Sequence, residues 1–128
     1  MTLRLARPQT RLGMSRLFEV VDIKSDRPTV EEARRRLNAA ITDAKQQGIQ
    51  VLKVIHGYGS SGVGGALRDA IRSSLRRRRK DGLVREIVYG EKWDIFDERT
   101  LKLLEQFPDL KRDQDLGRSN EGVTLVVL

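Results

Sequence analysis

Between Val51 and Arg79 the chain passes from an apolar run through a glycine-rich stretch into a helical pattern. The run is Val51-Leu52-Lys53-Val54-Ile55 and the stretch is His56-Gly57-Tyr58-Gly59-Ser60-Ser61-Gly62-Val63-Gly64-Gly65. Val63, Leu67, Ala70, Ile71, Ser74 and Leu75 then recur at helical spacing. Strand, glycine turn and helix in that order leave few folds open, and all of them put the turn at a sheet edge. Glycines let the backbone bend sharply and approach a ligand closely. The first amides of the following helix lack internal partners, so they can point at an anion. His56 opens the turn at the carboxyl end of the strand, and its imidazole is expected to face solvent or a phosphate rather than the core.

The flanking segments extend the same pattern. Leu17-Phe18-Glu19-Val20-Val21-Asp22-Ile23 has strand composition. Thr29 and Glu32 form a capping-box signature, followed by Val30, Ala33, Leu37, Ala40, Ile41 and Ala44 on one helical face and Gly48 at the end. Val84 to Tyr89 reads as a third strand. Asp97 can cap a short helix carrying Leu101, Leu104 and Phe107, closed by Pro108. Asp109 to Asn120 is polar and expected to be mobile, while Trp93 and Phe96 are expected to anchor their segment to the core. Gly122 to Leu128 reads as a last strand, expected along one sheet edge. The predicted class is α/β, a two-layer sandwich in the order β-α-β-α-β…β. It has a four-stranded, mainly parallel sheet and two main helices, since right-handed crossovers lay the first three strands parallel.

With 128 residues there is room for one core. Residues 1–14 read as a basic tail with Arg4, Arg7 and Arg11 and no acid, with Met14 an alternative start; residues 15–128 form the domain, with 90–121 a variable insertion. The net charge of +7 favours acidic partners such as nucleic acid. The absence of cysteine excludes disulfides and thiolate metal sites and fits a reducing cytoplasm. No apolar run approaches the roughly 20 residues of a membrane span. A monomer is compatible with all of this.

Three phosphate chemistries compete for the glycine stretch. A Walker-type loop needs Lys and Ser/Thr where Val63-Gly64 stands, so the groups that hold the terminal phosphates and magnesium are missing. Gly57-Tyr58-Gly59-Ser60-Ser61-Gly62 is a literal dinucleotide fingerprint, but the acid expected about 20 residues on falls in an arginine run, leaving only the late Glu91. The third is a resemblance. Val54-Ile55-His56-Gly57-Tyr58-Gly59 followed by Leu67-Arg68 is similar to the HGxG…LR motif of the small MutS-related (Smr) domain family. Val21-Asp22-Ile23-Lys24 resembles that family's LDxH or LDxR strand end, Thr29 to Ala33 its helix start, and Gly122 to Leu128 its closing strand. Lys24 stands where the family usually has His or Arg, and the loop from His56 to Leu67 is longer than its compact form.

The resemblance implies a small α/β domain that binds DNA or RNA, with endonuclease or nickase activity in several members and binding alone in others. On that basis His56 and Asp22 are the candidate catalytic residues. Lys24, Gly57, Tyr58, Gly59 and Arg68 are candidate phosphate and nucleic-acid contacts. Arg76, Arg77, Arg78 and Arg79 can track a phosphate backbone, or simply solvate a helix end. Tyr58 can stack on a base or fold over its own loop. Nothing suggests a dedicated metal site, although one aspartate with phosphate oxygens can hold Mg or Mn weakly.

Overall fold

A computed structural model describes residues 17–58 and 64–128. The expected basic tail and Gly59 lie outside them. The elements run β1 (Phe18–Asp22), α1 (Val30–Gln46), β2 (Val51–Ile55), α2 (Gly64–Lys80), β3 (Glu86–Tyr89), α3 (Glu98–Gln106) and β4 (Val123–Val127), with 3-10 turns at Gly90–Lys92 and Pro108–Arg112. The capping box forms as its residues dictate. Thr29 Oγ1 accepts from Glu32 N at 3.1 Å, and Glu32 Oε1 accepts from Thr29 N at 2.9 Å. Asp97 caps α3 by accepting from Arg99 N and Thr100 N.

The strand order is β1-β2-β4-β3. β1 pairs parallel to β2, but β4 lies antiparallel between β2 and β3. The first three strands do share one direction. Two of the three pairings are nevertheless antiparallel, so the sheet is mixed and not mainly parallel. The expected edge position of the last strand is corrected with it. All five residues of β4 are buried, and a strand without polar alternation must be covered on both faces. That pattern was the available sign of a central strand.

A two-helix, two-layer sandwich is also too small a description. One face of the sheet packs Leu37, Ile41, Ile71 and Leu75 of α1 and α2 against Leu52, Val54, Ile87 and Val126. The other packs Trp93, Leu103, Leu104 and Leu110 against Val51, Val88, Leu125 and Val127. Residues 90–121 therefore build a second layer, with α3 as its helix.

The polar stretch expected to be mobile is held by a buried cation. Lys53, 3% exposed in mid-strand, points to this second face and meets Asp113 Oδ1 at 2.7 Å and the Asp115 carboxylate. Trp93 Nε1 donates to the other Asp113 oxygen at 3.0 Å. A buried lysine without these acids would be strongly unfavourable, so the pairing fixes where the segment sits more than it adds net stability. Trp93 anchors the layer as expected. Phe96 does not, since it is 91% exposed.

Candidate nucleic-acid interface

The described ends of the glycine loop rest on the start of β4. His56 N and Gly57 N both donate to Gly122 O at 3.0 Å. Gly57 has φ +78°, and a Cβ there would lie 3.2 Å from Lys24 Cδ. Only glycine takes this conformation without strain and leaves room for the lysine stem. Gly122 is equally constrained by space, because its Cβ would lie 3.0 Å from Tyr58 Cδ1. Tyr58 thus folds its ring edge onto Gly122 yet stays 57% exposed. Arg68, one turn into α2, donates to Glu121 Oε1 at 2.7 Å. Lys24, Gly57, Tyr58, Glu121 and Arg68 form one continuous rim.

His56 is not part of that rim, contrary to the expectation for its ring. It is fully buried. Its Nδ1 lies 2.7 Å from Gly57 O and its Nε2 2.9 Å from Thr124 Oγ1. Thr124 Oγ1 also receives Arg72 Nε–H at 3.0 Å. A single proton arrangement satisfies this chain. The carbonyl can only accept, so Nδ1 carries the hydrogen. Arg72 can only donate, so the threonine hydroxyl gives its own hydrogen to Nε2. Burial pushes the imidazole down to about 4, helped by the charges of Arg72 and Arg68, while the Gly57 carbonyl and Glu91 oppose the shift less strongly. His56 is therefore a neutral imidazole with both nitrogens engaged.

Asp22 stands elsewhere. Val21 and its register partner Val54 pack into the α1/α2 face, as does Thr124, the partner of Val54 on the other side. Asp22 pairs in register with Ile55 and so belongs to the opposite face, following strand alternation. It does not hydrogen-bond His56. Its Oδ1 accepts from Lys24 N at 2.8 Å and Ser25 N at 3.1 Å. Partial desolvation tends to raise this carboxyl, but those bonds and the Lys24 charge outweigh it and hold it below its ordinary value. Asp22 is an exposed, ionised carboxylate at the same strand end as Lys24. Among the described residues no group of three or more His, Asp or Glu is arranged to hold a metal ion. Glu91 and Glu121 are each paired to an arginine. The described donors alone do not make a resident Mg or Mn site.

The Smr domain family matches residues 26–94, more than half of the chain and the whole glycine stretch. The chain belongs to the Smr domain family. Among solved structures, the crystal structure of the Smr domain of Thermus thermophilus MutS2 is similar, with a TM-score of 0.53 at 26% identity over 86% of this chain and 96% of that one. No curated protein matches. No helix among the described residues is long and apolar enough to cross a membrane.

In this Smr domain the arginine run is partly engaged with β3. Arg76 donates to the Tyr89 hydroxyl at 2.8 Å and Arg79 to Glu86 at 3.1 Å. Arg78 Nε is buried without a partner among the described residues, while Arg77 is exposed. Sequence reasoning missed Arg72, which is 6% exposed. It holds Glu91 through two bonds of 2.8 Å, donates to Glu121 O and Val123 O, and lies 4.1 Å from the centre of the Tyr89 ring. The available sign was Thr124, the one polar residue in an apolar strand, which needs an internal partner. Arg36, outside the apolar stripe of α1, donates to Ile23 O and Ser25 O and so braces the turn that carries Lys24.

Proposed function

We propose that this Smr domain binds DNA or RNA by its phosphodiester backbone along the rim, with Lys24, the Gly57 turn and Arg68 as the phosphate contacts. The observation that carries the reading is the shape of that rim: two cations, Lys24 beyond β1 and Arg68 in α2, flank the described start of the glycine turn at Gly57, whose positive φ and missing side chain make room for the Lys24 stem. Arg76 to Arg79 lie about 15 Å farther along α2 at 1.5 Å per residue. That is roughly four phosphates along one B-form strand, so a single backbone can touch both ends of the helix. Binding is expected to weaken steeply with salt, because neutralised phosphates release counterions.

The test is fluorescence anisotropy over a salt series with duplex and single-stranded probes. Arg68→Ala is expected to weaken binding and flatten the salt slope by about one phosphate. Glu121→Gln is expected to strengthen it, because Arg68 is then released to the ligand. Salt-independent binding, or two variants indistinguishable from wild type, would remove Arg68 from the interface.

Endonuclease activity is the second reading, and Asp22 is the observation in its favour. An ionised, exposed carboxylate beside Lys24 can take a proton from an attacking water. His56 supports the chemistry from beneath, by holding Gly57, and not as the proton-transfer group. Supercoiled plasmid and structured RNA, with and without Mg or Mn, test this. Cleavage lowered about a hundredfold or more by Asp22→Asn is the expected result. Absence of cleavage by wild type in every condition would leave a binding module.

A further inference from the structure

A second feature borders the rim at Tyr58 and Glu121. Tyr58 forms one wall of a cleft of about 610 Å³, and the turn from Gln114 to Glu121 forms the other. We propose that this cleft receives one unstacked base of a single-stranded nucleic acid, with Tyr58 as the stacking surface. The proposal rests on the nucleic-acid-binding reading above and names the subsite that reading lacks.

The walls are preset. Asn120 Nδ2 donates to Asp115 Oδ1 at 2.9 Å, and Asn120 Oδ1 accepts from Gly122 N at 2.8 Å. Asp115 is tied in turn to the buried Lys53. The far wall is thus anchored through the sheet, and Tyr58 is seated against Gly122. A site that needs no rearrangement loses less ordering entropy on binding.

The chemistry of the cleft is that of a nucleotide. Its two carboxylates are already engaged, Asp115 by Lys53, which it shares with Asp113, and Glu121 by Arg68. Arg118 and Gln114 are exposed and their side chains make no hydrogen bond with the described residues, although the Arg118 charge acts on Asp115 and its backbone N–H donates to Asp115 O at 3.1 Å. What remains open is an aromatic face, an amide with both donor and acceptor, and one guanidinium. A planar heterocycle carrying a phosphate uses all three: stacking on Tyr58, edge hydrogen bonds to Gln114, and a phosphate contact to Arg118. The cleft offers no sizeable aliphatic surface for an apolar peptide side chain. A base within a duplex is stacked on both faces and cannot enter unless it is flipped out, so single strands and loops are the expected ligands, whether DNA or RNA.

The test compares Tyr58→Ala, Tyr58→Phe and wild type on a short mixed-sequence RNA, the DNA of the same sequence, and its duplex. Each single strand also carries 2-aminopurine to report stacking. Tyr58→Ala is expected to weaken single-strand binding about tenfold, the scale of one base–aromatic stack. It should abolish the protein-dependent quenching, and leave duplex binding within about twofold. Tyr58→Phe should behave as wild type. Loss confined to RNA or to DNA would support the subsite and assign its source. Arg118→Ala, whose side chain is on the surface, should lower the salt slope for single strands by about 0.7. If Tyr58→Ala binds single strands as wild type does, or weakens duplex and single strands equally, the subsite is wrong while the backbone reading stands. If wild type binds none of the three probes, both fall together.

Discussion

Arg72→Ala is expected to destabilise the domain by about 2–4 kcal/mol, the scale of leaving several buried acceptors without their donor. The physical reason is what the truncation leaves behind. Glu91 is partly exposed and can rehydrate. The Thr124 hydroxyl is fully buried and loses the donor that orients it. The carbonyls of Glu121 and Val123 lose their side-chain donor, and the Tyr89 ring loses the guanidinium over its face. An unsatisfied buried polar group costs about 1–3 kcal/mol, and several are created at once. Arg72→Lys should recover only part of the loss, because an ammonium cannot meet a carboxylate bidentately and reach Thr124 at the same time. Urea unfolding of the three proteins measures this. A loss below about 1 kcal/mol for Arg72→Ala would mean that the network is incidental to the fold.

The consequence reaches the proposed interface, because Arg72 supports the residues on which the described start of the glycine loop rests. Gly122 O accepts both His56 N and Gly57 N, and Arg72 holds the carbonyls on either side of it. Arg68 and Arg72, one helical turn apart, thus do different work. The first faces the rim through Glu121, and the second fixes the strand start from below. Weakened binding is therefore expected from both variants, but only Arg72→Ala should also lower stability.

Much of this was legible in the residues, and the exceptions have physical causes. Helix α1 was readable because its cap, its apolar stripe and its terminal glycine are local signals that agree with one another. The place of the glycine stretch between β2 and α2 was readable because a glycine turn between strand and helix has few structural meanings. The sheet order was not, because β4 joins it through pairings remote in sequence, and only its unbroken burial hinted at a central place. The second layer was missed because Lys53 seemed a minor interruption of an apolar strand. A buried ammonium demands acids, and Asp113 and Asp115 were waiting in the segment expected to be mobile. The same logic misplaced His56. A lone histidine before a glycine turn suggests a catalytic group, yet the alternation that sends Val54 into the core sends His56 there too.

That burial makes the single histidine the determinant of acid stability. The unfolded chain takes up a proton on His56 near its ordinary value of 6.5, whereas the folded chain resists protonation down to about 4. Between those values the unfolded state binds more protons, so stability is complete above pH 6.5 and falls as the pH drops towards 4. The full contribution is about 3 kcal/mol, at 1.36 kcal/mol per unit of pKa difference. Asp22, Glu32, Glu91, Asp97 and Asp115 are all held below their ordinary values of 3.8 to 4.5, so their contributions are lost as the pH falls through that range and below it. The interval from pH 7 to 5 therefore isolates His56, the only histidine in the chain. Urea unfolding across it should show wild type losing about 2 kcal/mol. His56→Asn should lose stability already at pH 7, by about 2–4 kcal/mol, because the Thr124 hydroxyl hydrogen loses its acceptor and the ring's volume is left partly empty. Its stability should then be flat across the same interval. A flat wild-type profile would place the imidazole in contact with water, and would return His56 to consideration as a proton-transfer group at the rim.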